Sequence, residues 1–232
     1  MKKCILILLL FLYKVLNYLL TFSLLIIIII STYALYDSYQ IYESVKIEEY
    51  LEEVIEEDNS LDKLIKINKD IIGWIKIDDT SINYPVLKSN DNKEYLNKNY
   101  KGEYSFSGSL FLDYRNNNFK DEYSIIYGHN LYRGGMLSDI SKYKKKKYFN
   151  KHLNGVLITK DITYKMKVIS YGIFNSNDDY VYNTKKYNIK YIYNKSIIKN
   201  KYNKTKYLLL STCKSAHNPS RLVLLIELKS SS

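Results

Sequence analysis

The feature that most constrains this chain is an almost unbroken apolar run from Val15 to Tyr36, close to the N-terminus. As an α-helix at about 1.5 Å per residue, the run would span about 33 Å, enough for a hydrocarbon core of about 30 Å. Lys2, Lys3 and Lys14 all precede it, whereas acidic residues follow it. The positive-inside rule therefore predicts a cytoplasmic N-terminus, with everything after the run outside the cell membrane.

A cleaved signal peptide is the alternative, because small residues around Ala34 are of the kind found before a signal-peptidase site. The run is longer than the apolar core of such a signal, and this favours a retained single-pass anchor. The predicted domains are a cytoplasmic N-terminus with an apolar flank (1–14), a transmembrane anchor (15–36), an amphipathic helical stalk (37–66) and an extracellular globular domain (67–232).

The stalk is predicted from the spacing of its apolar residues, which recur every three or four positions between many carboxylates. That spacing is typical of an amphipathic helix with one buried face. A coiled coil that binds a partner is the alternative, but the heptads are too few to favour it.

The globular domain shows short apolar segments separated by turn residues, a pattern typical of strands. The predicted strands are Ile71–Ile77, Ile82–Leu87, Gly108–Tyr114, Ser124–His129, Leu157–Thr159, Thr163–Phe174, Tyr207–Leu210 and Leu222–Leu228. Residues 139–151 and 180–203 are predicted to be helical or irregular. The fold class is therefore mainly β with flanking helices, built on an eight-stranded, closed or nearly closed β-barrel.

The net charge of +11 raises the question of a nucleic-acid partner. The lysines are scattered among Tyr, Asn and Ile, and no nucleic-acid-binding motif is present, so we expect no nucleic acid. On an exported protein such charge would face anionic lipids and wall polymers, or simply solvent. The sequence also lacks a glycine-rich phosphate loop and a Cys-x-x-Cys pair.

A candidate nucleophile, Cys213, lies in a strand–loop–strand segment near the C-terminus. One apolar run, Tyr207–Leu210, stops at two hydroxyl residues and Cys213, and the next begins just after Arg221. Read as strand, loop and strand, this segment predicts that the thiol and the guanidinium lie side by side. A nearby cation favours the nucleophilic thiolate. The other cysteine, Cys4, would lie on the opposite side of the membrane, so Cys213 has no disulfide partner. The alternative is that Cys213 is a small buried apolar residue.

Three histidines are available as a base for this thiol. His129 closes an apolar strand, His152 lies in a lysine-rich stretch typical of a solvated surface, and His217 follows the cysteine by four positions. A nucleophile and its base usually come from distant segments that the fold brings together at strand ends. We therefore favour His129, with His217 as the local alternative.

Several motifs of this chain together resemble the sortases, and specifically class B sortases, which are membrane-anchored transpeptidases of Gram-positive bacteria. The resemblance runs from about Asn68 to Leu228. The motifs that carry it are Asp70–Ile77, Ile82–Val86, Asp91–Leu96, Gly108–Asn116, Ile126–Asn130 and Leu210–Cys213 with Arg221.

The resemblance implies a role for each candidate catalytic residue. Cys213 would be the nucleophile, His129 the general acid and base, and Arg221 the stabiliser of the oxyanion or the substrate. Apart from the resemblance, Asp113 could orient His129, but an Asp that follows a strand is more often part of a turn or a structural ion-pair partner. The resemblance further implies that the substrate groove is lined by Asn92, Leu96, Ser211, Tyr180 and Val181.

The implied reaction is cleavage of a C-terminal sorting signal after Thr, in a motif similar to Asn-Pro-x-Thr-Asn or Pro-x-Thr-Gly. The acyl group would then pass to an amine of peptidoglycan or of its lipid-linked precursor, which anchors surface proteins to the cell wall. The implied partners are therefore proteins that carry sorting signals, the wall amine and the membrane. The implied reaction needs neither a cofactor nor a metal. Two alternatives stay open: a non-catalytic wall-binding domain on a membrane anchor, and a hydrolytic cysteine peptidase with the same triad.

Overall fold

A computed structural model describes residues 2–58, 61–131, 134–203, 205–214 and 218–231 of the chain. The chain divides into two compact units, residues 1–44 and 45–232. Helix α1 has the bounds Lys2–Asp58. Its segment Ile5–Gln40 is long and apolar enough to cross a membrane, and it contains the run predicted from the sequence. This segment is a candidate membrane anchor, although a signal sequence has the same character.

The second unit is a β-barrel with short helices around it. Nine strands occur in the described part of this unit: β1 (Ile71–Ile77), β2 (Asn83–Leu87), β3 (Leu110–Leu112), β4 (Tyr123–Tyr127), β5 (Asn154–Thr159), β6 (Thr163–Asn175), β7 (Ile198–Lys199), β8 (Lys206–Cys213) and β9 (Ser220–Ser230). The helices are α2 (Asp62–Ile67), α3 (Lys146–Lys151), α4 (Asp179–Tyr182) and α5 (Ile189–Lys195), with 3₁₀ segments at Glu94–Leu96 and Ser138–Lys144.

Eight of these strands close into the barrel in the order β5-β1-β2-β3-β4-β8-β9-β6. Pairing of β6 with β5 closes the ring, and most neighbours are antiparallel. The two exceptions are β2 with β3 and β4 with β8, which are parallel. Closure leaves the eight strands without a free edge between them. The predicted mainly β class and the eight-stranded barrel are therefore confirmed.

The short strand β7 was not predicted from the sequence. It pairs with Ser170 and Tyr171 of β6, beyond the part of β6 that contacts β5. A two-residue strand is too short to show an alternating pattern, so its segment was expected to be helical or irregular. The rest of that segment does contain the two helices α4 and α5.

The long strand β9 is apolar on both faces because both faces are covered. Leu222, Leu224 and Ile226 belong to the cluster that fills the barrel, whereas Val223 and Leu225 pack with helices α4 and α5. Successive side chains of a strand point to opposite faces, so a strand buried on both sides shows a continuous apolar run rather than an alternation. This packing holds β8 and β9 rigidly at the end where Cys213 and Arg221 lie.

Candidate active site

The thiol of Cys213 and the guanidinium of Arg221 meet at one rim of the barrel. Strands β8 and β9 are antiparallel, and their register pairs Cys213 with Arg221. The Nη1 atom of Arg221 donates a hydrogen bond to Sγ of Cys213. The structure therefore places the predicted thiol and guanidinium side by side, in contact.

His129 reaches the same rim because β4 runs parallel to β8. Their register pairs Tyr127, the last residue of β4, with Ser211. His129 and Cys213 each follow this pair by two positions along the chain. Hydrogen bonds hold the two ends together. Thr212 Oγ1 donates to the Gly128 carbonyl over 2.7 Å, and Asn130 Nδ2 donates to the Cys213 carbonyl over 3.0 Å.

The ring of His129 is oriented by the backbone of Leu96. The distance from His129 Nε2 to the Leu96 carbonyl oxygen is 2.8 Å. A carbonyl oxygen can only accept, so Nε2 carries the proton of this hydrogen bond and Nδ1 is the nitrogen with the free lone pair in a neutral ring. Leu96 ends the 3₁₀ segment Glu94–Leu96, and this turn aims its carbonyl at the histidine.

The three side chains open into one groove of about 450 Å³. Among the predicted substrate-groove residues, Asn92, Leu96 and Ser211 line it together with Cys213 and His129. The other lining residues are Phe111, Arg115, Tyr127, Gly128, Ser176, Asn177, Asp178, Asp179, Tyr182 and Arg221.

The predicted groove residues Tyr180 and Val181 do not line this groove. Val181 is fully buried in the core beneath α4. Tyr180 is 53% exposed and packs its ring 5.1 Å from that of Tyr191. The residue of α4 that enters the groove is Tyr182, whose hydroxyl lies 3.0 Å from Ser211 Oγ. Sequence reasoning missed Tyr182 because a four-residue helix shows no periodicity that would reveal its phase.

A fully buried carboxylate, Asp113, lies behind the groove. Its oxygens accept hydrogen bonds from Arg115 Nε and Nη2 (2.8 and 2.7 Å), Tyr127 Oη (3.0 Å) and Asn92 Nδ2 (3.1 Å). Within the described ranges, the ring of His129 bonds to Leu96 rather than to Asp113. The structure therefore shows the predicted structural ion pair of Asp113, with Arg115, and among the described residues no direct contact with the histidine.

The electrostatics of this cluster follow from burial and from the Arg115 charge. Burial works to raise the pKa of Asp113, but the hydrogen bonds and charge of Arg115 outweigh it and lower that pKa. The hydrogen bonds with Asp113 in turn raise the pKa of Arg115. Burial, and then the adjacent Asp113 charge, raise the pKa of Tyr127, so its hydroxyl stays protonated and donates. Arg115 and Tyr127 were missed as groove residues, although the Asp-x-Arg spacing in Gly108–Asn116 is a signal of a local ion pair.

The structure describes one of the two other histidines, His152. His152 is partly buried rather than solvated as predicted, since its ring stacks on Tyr148 with centroids 3.8 Å apart and its Nδ1 lies 2.7 Å from the Tyr148 carbonyl. It does not line the groove. His217, the local alternative to His129, lies outside the described residues. In the described ranges, no group of three or more His, Cys, Asp or Glu side chains has the arrangement of a metal site.

Comparison with known proteins identifies the family. Residues 75–229 match the family model of the Sortase domain, which covers more than half of the chain. The chain belongs to the sortase family. This sortase is 33% identical to Sortase B of Staphylococcus aureus (strain NCTC 8325 / PS 47) over 167 residues, which are 68% of each protein.

One further relative and a solved structure are also of class B. The sortase is 37% identical to Sortase B of Listeria monocytogenes over 125 residues, 53% of this chain and 50% of that relative, so it spans about half the length of that protein. Its fold matches the Staphylococcus aureus sortase B–substrate complex with a TM-score of 0.74 and 29% identity, over 84% of this chain and 99% of the other. Class B sortases are cysteine transpeptidases, and this chain belongs to that class of enzyme.

Proposed function

We propose that this sortase cleaves a C-terminal sorting signal, similar to Asn-Pro-x-Thr-Asn or Pro-x-Thr-Gly, after Thr and transfers the acyl group to an amine of peptidoglycan or of its lipid-linked precursor. The observation that carries the proposal is the contact between Cys213 Sγ and Arg221 in a groove that His129 also lines. Surface proteins that bear such signals are the proposed substrates.

In the first half-reaction, Sγ of Cys213 attacks the carbonyl carbon of the Thr residue. The hydrogen bond from Arg221 stabilises the thiolate before the attack. As the carbonyl oxygen gains negative charge, the guanidinium donates to it instead, and donors of this kind contribute about 3 kcal/mol in comparable sites. The C–N bond then breaks, and the acyl group remains on the enzyme as a thioester.

His129 supplies the proton that the leaving amine needs. Its Nε2 is held by the Leu96 carbonyl, so Nδ1 is the nitrogen that exchanges protons during the reaction. In the imidazolium form, Nδ1–H protonates the departing nitrogen. In the second half-reaction the acceptor amine attacks the thioester, neutral Nδ1 takes its proton, and the thiolate leaves.

The substrate peptide is proposed to lie in the 450 Å³ groove, in contact with Asn92, Leu96 and Ser211. A groove of that volume is large enough for a few residues of an extended peptide. Support comes from the relative of the same fold that was solved as a substrate complex. Because Tyr180 and Val181 lie outside the groove, Tyr182 takes the contact that was expected of them.

The proposed location is the outer face of the cell membrane, where the sorting signals and the wall amines would meet the enzyme. The run Val15–Tyr36, which lies within the apolar helical segment Ile5–Gln40, would be the single-pass anchor. Lys2 and Lys3 before it favour a cytoplasmic N-terminus, with residues 67–232 as the extracellular catalytic domain. Treatment of intact cells with a protease, followed by immunoblotting for the C-terminal domain, tests this orientation: a domain that stays protected would contradict it.

The reaction is tested with the full chain in detergent micelles and a panel of quenched peptides carrying each signal, with and without an added amine. We expect cleavage that captures the amine, and its loss in Cys213→Ala and His129→Ala. His152→Ala is the matched control because its ring lies off the groove, and His217→Ala tests the local alternative.

Three outcomes separate the candidate functions. Amine-dependent product, lost with the first two variants only, supports the transpeptidase. Release of free acid at the same rate whether or not amine is present would identify a hydrolytic peptidase. No cleavage of any peptide, together with a Cys213 thiol that does not react with an alkylating reagent, would leave the non-catalytic wall-binding domain.

A further inference from the structure

The buried carboxylate of Asp113 connects the two walls of the groove, although it does not reach the groove itself. Three of its partners, Asn92, Arg115 and Tyr127, line the groove. Asp113 has no exposed surface. A buried charge needs such partners to remain ionised. Here those partners are also the side chains that shape the site.

The first wall is the segment that ends at Leu96. Asn92 is bonded at both ends of its amide: Nδ2 donates to Asp113 Oδ2 over 3.1 Å, and Oδ1 accepts from the Tyr114 backbone N–H over 3.0 Å. Asp91 Oδ1 accepts hydrogen bonds from the backbone N–H groups of Lys93 and Glu94, which tightens the turn. The position of Asn92 therefore sets that of the Leu96 carbonyl, which holds the ring of His129.

The second wall is helix α4. Arg115, held by Asp113 through two parallel hydrogen bonds, donates from Nη2 to the Tyr182 carbonyl over 2.7 Å. The Tyr182 hydroxyl in turn lies 3.0 Å from Ser211 Oγ. Ser211 precedes Cys213 by two positions on β8, so this wall ends beside the nucleophile.

We propose that Asp113 is a positioning residue for the reaction: it fixes both walls and, through Asn92 and Leu96, the orientation of His129 relative to Cys213. The proposal rests on the proposed function. Asp113 does not touch the reacting atoms and acts only through its partners. A displacement of about 1 Å in a catalytic group can lower the rate about 100-fold. A small movement of this hydrogen-bond network would therefore be enough to lower the activity.

A second buried carboxylate provides a matched control. Asp139 also has an ion pair (Lys142 Nζ, 2.7 Å), a backbone N–H donor (Ser81, 2.9 Å) and a tyrosine hydroxyl (Tyr148, 3.3 Å). It is 5% exposed. None of these partners lines the groove. Asp139→Asn and Asp113→Asn therefore remove the same charge from similar surroundings, but only Asp113→Asn acts on the walls of the site.

The test compares the two variants as full chains in detergent. We expect both to lower the melting temperature seen by fluorescence of Trp74, the chain's one tryptophan. Per folded molecule, Asp113→Asn should lower kcat/KM for peptide cleavage at least about 10-fold, mostly through kcat, whereas Asp139→Asn should stay within about 2-fold. If Asp113→Asn cleaves as well as Asp139→Asn, the proposal is overturned.

A second readout needs no substrate. NMR of nitrogen-labelled histidine follows the two ring nitrogens of His129, with His129→Ala to assign their signals. If the Leu96 carbonyl moves away, Nε2–H loses the acceptor that fixes the tautomer of the ring, so the ring nitrogen signals should move in Asp113→Asn toward the average of the two tautomers. Ring nitrogen signals identical to those of the wild type would refute the positioning role. Because this result does not depend on cleavage, it separates failure of the proposal from failure of the proposed function.

Arg115→Lys covers the case in which Asp113→Asn does not fold. Lysine keeps a positive charge beside the carboxylate, but it lacks the planar guanidinium that donates to Asp113 and to the Tyr182 carbonyl at the same time. We expect a loss of kcat/KM with the ring nitrogen signals of His129 unchanged, since this variant releases only the second wall. A variant with wild-type kcat/KM would show that the link to Tyr182 does not position the site.

Discussion

Gly108→Ala tests whether the backbone behind the groove controls the catalytic histidine. Gly108 has a φ of +60°, and a Cβ added there would lie 2.5 Å from the Leu96 carbonyl oxygen and 2.8 Å from that of Tyr95. Ordinary contacts of this type begin near 3.4 Å. The Leu96 oxygen would therefore have to move by several tenths of an ångström, and it is the atom that holds His129 Nε2.

The energetic cost has two parts. Alanine in the left-handed region costs about 1–2 kcal/mol, and the overlap with backbone atoms, which cannot rotate away, adds about 1–3 kcal/mol. Gly102→Ala isolates the first part, because Gly102 has a φ of +87° but no atom within 4 Å of the added Cβ. We therefore expect Gly108→Ala to be less stable than Gly102→Ala by about 1–3 kcal/mol.

Activity should also fall, even when the rate is expressed per folded molecule. A shift of the Leu96 carbonyl weakens the 2.8 Å hydrogen bond to His129, and we expect kcat/KM per folded molecule to fall about 10- to 100-fold. Gly102→Ala should cleave peptides at close to the wild-type rate. The assay combines thermal unfolding followed by Trp74 fluorescence with amine-dependent peptide cleavage. Equal kcat/KM in both variants would refute the inference that the Leu96 carbonyl orients the histidine.

Two further predictions concern residues outside the groove. Val181→Ala should lower the free energy of unfolding by about 1–2.5 kcal/mol, because it removes two buried methyl groups, and it should leave KM unchanged; a raised KM with normal stability would restore Val181 as a substrate contact. For Asp139, burial opposes ionisation but Lys142 and the Ser81 N–H outweigh it and lower the pKa. Its stabilising effect is therefore complete above the unfolded pKa of about 3.9 and is lost as pH falls through the lower folded pKa. The difference in melting temperature between wild type and Asp139→Asn should then shrink below about pH 4, and a difference that persists undiminished at pH 2 would contradict this assignment.

The strands and the pair Cys213–Arg221 were predictable because both are set by neighbours along the chain. Apolar runs bounded by turn residues mark the strands whatever their order in the sheet. Cys213 and Arg221 lie at the two ends of one loop between adjacent antiparallel strands, so a single local pairing brings them together. The choice of His129 over other histidines used the same strand-end reasoning, together with the resemblance to sortases.

Tertiary structure alone decided how the rest of the site is assembled. The parallel pairing of β4 with β8 joins segments about 80 residues apart, and no local pattern specifies that pairing. Helix α4 presents Tyr182 rather than Tyr180 or Val181, because packing against the barrel, not propensity, sets the phase of so short a helix. The partners of Asp113 likewise come from three separate segments, which only the closed barrel brings within hydrogen-bonding distance of one carboxylate.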